Sequence, residues 1–141
     1  MTRCDSEHEL VRDEGEMMVG KSAAAQGSPG GVDMDRRVFR SVGDHEGDVG
    51  AETEFRYRQA GDLVWARYSG GAVRLGFLVG TSDGAELHLR CTHVDTSGAT
   101  ATGASTDRIE RLDDGRVRLH ETWAWDSRDG SGTATLEEVR S

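Results

Sequence analysis

The sequence predicts an all-β domain, an eight-stranded antiparallel up-and-down β-barrel with a disordered N-terminal tail. Glycine-containing turn signals recur from Gly43-Asp44 to Asp129-Gly130, and glycine readily adopts the positive φ that tight hairpin turns require. Between these turns, runs of about 7–11 residues alternate between apolar and polar side chains, the pattern of half-buried strands. No proline follows Pro29, which suits strands whose N–H groups all serve in sheet hydrogen bonds.

The turns divide the domain into its strands in order. The expected strands are 36–42, 51–59, 62–69, 72–80, 85–94, 99–109, 115–125 and 131–139. The first ends at Gly43-Asp44, and the second alternates most clearly, with charged residues at the even positions from 52 to 58. The third and fourth lie on either side of Gly70-Gly71, and the fourth ends before Asp83-Gly84.

The remaining strands follow the same logic. The fifth alternates from Leu87 to His93 and ends before Ser97-Gly98, after which the sixth runs to the turn at Asp114-Gly115. The seventh alternates as far as Trp125, and the eighth follows Asp129-Gly130. An open sheet would leave its apolar face in water, whereas closure into a barrel buries that face and removes the edges. A β-sandwich is the alternative fold.

Residues 1–34 differ from the rest of the chain. They carry three bases and seven acids, a net charge of −4, together with the small-residue stretch from Ala23 to Gly31. Such a segment cannot offset its ordering entropy by burial, so we expect a disordered extension, with the barrel domain at 35–141. An alternative is that the natural chain starts at Met34.

Composition excludes several classes of function. The net charge of −9 argues against a nucleic-acid partner held by phosphate contacts. No run approaches the roughly 18 apolar residues of a membrane span. The acidic N-terminus lacks the apolar core of a secretory signal, so we expect a cytoplasmic protein. Cys4 and Cys91 do not make a disulfide framework.

The alternating pattern predicts which side chains face the barrel lumen. The apolar members are Phe55, Tyr57, Val64, Tyr68, Val73, Leu75, Phe77, Leu87, Leu89, Cys91, Val117, Leu119, Trp123 and Leu136. The polar members are Gln59, His93, Ser105, Glu121 and Glu138. Glu121 lies in phase with Leu119 and Trp123, so its carboxyl needs a partner or a raised pKa. In the alternative interpretation, the Glu121 carboxylate lies at the mouth of the barrel and is solvated or paired with an arginine.

Six lumen residues are the candidate ligand-binding set, because they combine aromatic surface with hydrogen-bonding groups. They are Tyr57, Gln59, Tyr68, His93, Glu121 and Trp123. Trp123 and Trp125 share a face and could form a stacking platform, although packing is the simpler interpretation. A cavity of about 300 Å³ or more would support ligand binding, and a solid lumen would exclude it.

Motifs for other chemistries are incomplete. Residues 15–22 match the P-loop pattern letter for letter, but no buried strand precedes them and no stable helix follows. The histidines and cysteines lack metal-ligand spacing, and no G-x-S-x-G elbow occurs. We therefore expect no metal and no cofactor, and assign no catalytic residue.

Residues 36–139 resemble a known family. The resemblance rests on the segments 53–59, 61–66 and 68–71, and on 119–125 with the closing Leu136-Glu137-Glu138. The family comprises uncharacterised bacterial proteins of roughly 110 residues, often labelled N-acetylglutamate synthase. The acetyltransferase pyrophosphate loop fails at its last position in 58–63, so we do not expect that chemistry. At fold level the chain resembles lipocalin and avidin barrels, although the lipocalin G-x-W signature is missing from the first strand.

Three hypotheses for function remain open. The first is a barrel that binds a small molecule in its lumen. The second is an enzyme that uses Glu121 or His93 as acid or base, which requires a perturbed pKa and a second polar group within reach. The third is a structural or interaction module, with a homodimer through a barrel face as one form.

Overall fold

The computed structural model describes residues 31–43 and 48–140. Its strands are β1 (Val38–Val42), β2 (Glu54–Ala60), β3 (Leu63–Gly70), β4 (Val73–Ser82), β5 (Glu86–Asp95), β6 (Thr100–Arg111), β7 (Val117–Trp125) and β8 (Ser131–Glu138). Each pairs antiparallel with the next, and β8 returns to β1, so the sheet is a closed barrel. The prediction of an all-β, eight-stranded up-and-down barrel is confirmed.

The expected tail and the P-loop match lie outside the described residues, apart from the last part of the tail. Within the described residues, no helix has the length and apolar character that a membrane crossing requires. The strand bounds differ from the predicted ones by three residues at most.

The lumen is filled mainly by apolar side chains, as the alternation predicted. In β2, Phe55 and Tyr57 are buried while Arg56 and Arg58 are exposed. The largest fully buried side chains elsewhere are Phe39, Met34, Leu87, Leu119, Leu136, Val64, Val73 and Val117. Aromatic rings also contact one another in the lumen, where Phe39 lies edge-on to Tyr57 at a centroid distance of 5.3 Å.

The inward assignment of Leu75 and Phe77 is wrong. A β-bulge between Val73 and Leu75 shifts the pairing of β4 with β5, so the alternation changes phase after the buried Val73. Gly76 and Leu78 consequently face the lumen. Leu75 and Phe77 are instead 36% and 50% exposed on the outer face.

One end of the barrel, which we call the floor, is covered by the segment that precedes β1. Val32 and Met34 are buried in the core. The Met34 N–H donates to Oε1 of Gln59 at 2.8 Å, and the Gln59 N–H donates to the Asp35 carboxylate. The packed structure therefore includes residues that the sequence pattern placed in the tail.

The opposite end, which we call the mouth, carries the connections β1–β2, β3–β4, β5–β6 and β7–β8. Glycines with positive φ sit in several of these connections, including Gly71 and Gly98. The mouth half of the lumen contains the side chains described next.

Candidate functional site

A cavity of about 50 Å³ occupies the mouth half of the lumen. Its wall includes four aromatic rings and five polar or thiol side chains, namely Phe55, Tyr68, Trp123, Trp125, Ser41, Asp48, Cys91, Ser105 and Glu121. The volume has room for about three to five water-sized groups. The lumen is thus neither solid nor as large as the roughly 300 Å³ expected for a typical ligand pocket.

Tyr68, His93 and Asp48 form a hydrogen-bonded chain along one wall. The Tyr68 hydroxyl lies 3.1 Å from Nδ1 of His93, and Nε2 of His93 lies 2.9 Å from Oδ2 of Asp48. The His93 side chain has no exposed surface. Burial is the largest cause of a raised pKa at Tyr68, so this phenol stays protonated. The chain fixes the ring orientations of both aromatic side chains.

Trp123 and Trp125 come from alternate positions of β7 and both reach the cavity. Their ring centroids are 5.5 Å apart with the planes tilted by 52°, so they form an angled wall and not a parallel stack. The guanidinium of Arg128 lies 5.1 Å from the Trp125 ring centroid and donates to Asp48 at 3.0 Å. This arginine links the β7–β8 connection to the β1–β2 connection at the mouth.

Asp107, which is buried, and Glu121, which is half-buried, form a pair of acids on neighbouring strands. They are direct partners in the β6–β7 register. Asp107 has no exposed surface, and its pKa is well above the usual range because of burial first and the Glu121 charge second. Burial also raises the pKa of Glu121, while Ser105 and Asp107 partly offset that effect. The acid–base hypothesis required a perturbed pKa and a polar neighbour, and Glu121 has both; catalysis itself stays a prediction.

The hydroxyl of Tyr57 lies deeper in the lumen. It is buried and has no hydrogen-bond partner among the described residues, and the same holds for both carboxyl oxygens of Asp107. Burial raises the pKa of Tyr57 far above its ordinary value, and the Asp107 charge is the next cause. Three buried polar atoms without partners therefore lie below the cavity, next to Glu121 and Ser105.

The structure brings together only part of the predicted set. Tyr68, Glu121 and Trp123 line the cavity, and His93 supports Tyr68 from behind. Tyr57 lies beneath the cavity. Gln59 is near the floor, where its amide bonds Met34 and Gly61, so it does not reach the cavity. Ligand binding by these residues stays a prediction.

Sequence reasoning missed Asp107, Asp48 and Arg128. Asp107 follows Ser105 by two positions in β6, so the alternation that placed Ser105 inward also places Asp107 inward. Asp48 and Arg128 lie in connections between strands, where no alternation of side chains indicates which of them point toward the lumen. Cys91 was expected inward and lines the cavity, and burial raises the pKa of its thiol to about 11, which makes it a poor nucleophile at neutral pH.

Among the residues that the structure describes, one group of candidate metal ligands occurs near the floor, away from the cavity. It consists of Asp83, Glu86 and His88, of which Asp83 and His88 are exposed. Oδ1 of Asp83 already accepts the N–H groups of Ala85 and Glu86, which caps the β4–β5 turn. This arrangement is explained by the turn alone.

Comparison with known proteins agrees with the fold. A family model described as "Avidin-like protein" matches residues 32–139. No curated protein matches the chain. The label N-acetylglutamate synthase finds no support in this match. The matched segment starts at Val32, the first residue of the floor segment in the core, and spans all eight strands. The chain therefore belongs to the avidin-like protein family.

Proposed function

We propose that this barrel binds a small molecule in the mouth half of its lumen. The observation that carries the proposal is the cavity of about 50 Å³ between Tyr68, Glu121 and Trp123 in an otherwise packed barrel. Small-molecule sites combine apolar walls with a few convergent polar groups, and mouths of β-barrels are common places for them. Membership of the avidin-like family is consistent with such a role.

The size of the cavity limits what fits. With room for three to five water-sized groups, it accepts the head group of a ligand or a very small molecule. A larger ligand would extend past Trp125 and Asp48 toward the mouth. Small polar molecules of that size belong in the first binding panel, and biotin tests a larger ligand that would extend toward the mouth.

The decisive measurement is native mass spectrometry of the full chain purified from its own host. A bound molecule that is retained in the gas phase and released by denaturation would support the proposal. A protein of bare mass, which also fails to bind any member of the panel, would contradict it.

The three tryptophans provide a second test. Trp123 and Trp125 line the cavity. Trp65 lies in β3, where the residues two positions before and after it are exposed on the outer face, so its side chain points away from the lumen. We expect a bound ligand to change the tryptophan fluorescence, and expect Trp123→Phe to abolish most of that change. Trp65→Phe is the matched control and should leave it intact. A signal that depends on Trp65 would place binding outside the lumen.

We also propose that two copies of the chain associate through the outer face of β4. Four large apolar side chains are exposed there and at the start of β3, namely Leu63, Leu75, Phe77 and Val79. Arg67 is paired with Phe77, and Arg90 with Val79, in the sheet register. A two-fold copy would bury the same apolar patch of both barrels, which is the self-complementary arrangement that a two-fold interface requires.

A further inference from the structure

The acids at the cavity differ in whether a basic side chain is paired with them. The described residues that line it include two acids, Asp48 and Glu121, and neither arginine nor lysine. Asp48 is already paired, because Arg128 donates to its Oδ2 at 3.0 Å and His93 lies against the same oxygen. Glu121 has a second acid, Asp107, as its neighbour. Within the described part of the chain, carboxyl groups without a basic partner are therefore concentrated at the deep end.

The groups that face this pair come from several strands. Tyr57 approaches from β2, Tyr68 from β3, Cys91 from β5 and Ser105 from β6. Each is neutral at pH 7, because the phenols and the thiol have raised pKa values and the serine does not titrate. None supplies a positive charge to the pair.

One member of the pair, Asp107, also lacks hydrogen-bond donors in the described part of the chain. Both carboxyl oxygens of Asp107 are buried without partners among the described residues. A buried acceptor without a partner is costly, and a ligand that brings donors would remove that cost. An ammonium group brings three donors and a positive charge.

The walls above the pair suit the same kind of ligand. Phe55 and Tyr68 are stacked with centroids 4.7 Å apart, and Trp123 and Trp125 form the angled wall of the cavity. Aromatic faces attract organic cations and also pack against short hydrocarbon chains. Arg128 already uses the Trp125 ring in this way at the mouth.

We propose that the cavity selects a small primary ammonium cation, with the ammonium group at Glu121, the member of the acid pair that lines the cavity, and a short hydrocarbon stem between the aromatic walls. This inference rests on the proposed small-molecule function and names its ligand class. Anions are disfavoured because the described residues of the cavity wall offer them carboxyl groups and no arginine or lysine. Neutral isosteres bind more weakly because they bring fewer donors and no charge.

The test compares three probes of nearly equal size on the full chain: n-propylammonium, 1-propanol and propionate. Binding is followed by chemical-shift titration in two-dimensional NMR spectra. We expect n-propylammonium to bind at least about tenfold more tightly than 1-propanol, in line with a charge-assisted hydrogen bond, and propionate not to bind. Equal or tighter binding of 1-propanol or propionate would overturn the inference.

Variants locate the site. Glu121→Gln should remove the preference for the cation, whereas Glu54→Gln, the same change on the outer face of β2, should leave it unchanged. Asp107→Asn removes the second acid beside Glu121 and should weaken the preference for the cation as well. Circular dichroism confirms the fold of each. A preference that survives Glu121→Gln in a folded protein would contradict the assignment.

The pH dependence has a definite sign. Because burial raises the pKa of Glu121, its carboxyl keeps its proton to higher pH than an exposed glutamate does, and the cation must displace that proton. Affinity for n-propylammonium should therefore rise with pH from about 5 to 8, by at most about tenfold per unit for one proton. Affinity that is flat or falls over this range would overturn the inference.

Failure of all three probes would also overturn it, while a retained neutral or anionic ligand in the native mass spectrum would leave the broader proposal standing.

Discussion

Tyr57 and Tyr68 are two buried tyrosines of the same barrel in opposite situations. The Tyr68 hydroxyl has His93 at 3.1 Å, whereas the Tyr57 hydroxyl has no partner among the described residues. Removing a hydroxyl without a partner costs little, but removing a paired one leaves its buried partner unsatisfied. We expect Tyr57→Phe to leave the free energy of unfolding unchanged or raise it by up to about 1 kcal/mol.

Tyr68→Phe should lower the free energy of unfolding by about 1–3 kcal/mol, because Nδ1 of His93 loses its partner in the apolar lumen. Urea denaturation at pH 7 of both variants beside the wild type measures the contrast. The two variants serve as controls for each other, since each removes one hydroxyl. Equal losses would show that Tyr57 has a bonding role that its surroundings do not reveal.

The burial of a single residue could be predicted from the sequence where the alternation and the usual preference of its residue type agree. Phe55, Tyr68 and Leu89 are apolar at inward positions, so pattern and preference agree, and all are buried. Asp107 occupies an inward position as well, but an aspartate is expected in water, and the small residues of β6 give a weak alternation. Acids are rarely buried, so their burial is recognised only from structure.

Among the elements, β4 departs most from ideal alternation. After the bulge Gly76 faces inward, and the Tyr68 ring lies over it: a Cβ at position 76 would overlap that ring and come within 2.8 Å of Cβ of His93. We expect Gly76→Ala to lower the free energy of unfolding by about 1–3 kcal/mol, as overpacking does. It should also displace Tyr68 and so weaken ligand binding.

Gly50→Ala is the matched control for that change. A Cβ at position 50 would meet nothing within 4 Å, and its φ is not in the positive range. Thermal unfolding of both variants provides the measurement. A Gly76→Ala protein as stable as the control would mean that Tyr68 can move aside at no cost.

The strands themselves were predictable, because hairpin turns and a period of two are local signals. Positions in β2, β5 and β7 followed from the period, and their buried residues confirm it. The bulge in β4 was not predictable, because the consecutive apolar residues Phe77, Leu78 and Val79 contain no polar position that would show which of them face inward. Arg128 and Asp48 meet only because closure of the barrel brings two distant connections together.

At the scale of the whole molecule, closure of the barrel leaves no free sheet edge among the described strands, so a partner can associate only with the outer faces of the strands. Every strand has two partners, so a second copy can approach the apolar surface of β4 only side-chain to side-chain. We expect the protein to be dimeric in solution and Phe77→Ser to shift it toward the monomer. Thr122→Ser, on the exposed side of β7, is the control and should not.

Light scattering over a concentration series measures this equilibrium. A monomer at every concentration would contradict association through β4. A dimer that is unaffected by Phe77→Ser would contradict the choice of face.

The pairing of β1 with β8 has a consequence for how the chain folds. Phe39 pairs with Glu138, so the last seam joins residues almost a full domain apart in sequence. Contacts of such separation form late and make folding slow. During synthesis the chain exposes two sheet edges and an unsealed lumen until β8 has left the ribosome, and this interval is when the protein is most prone to aggregate.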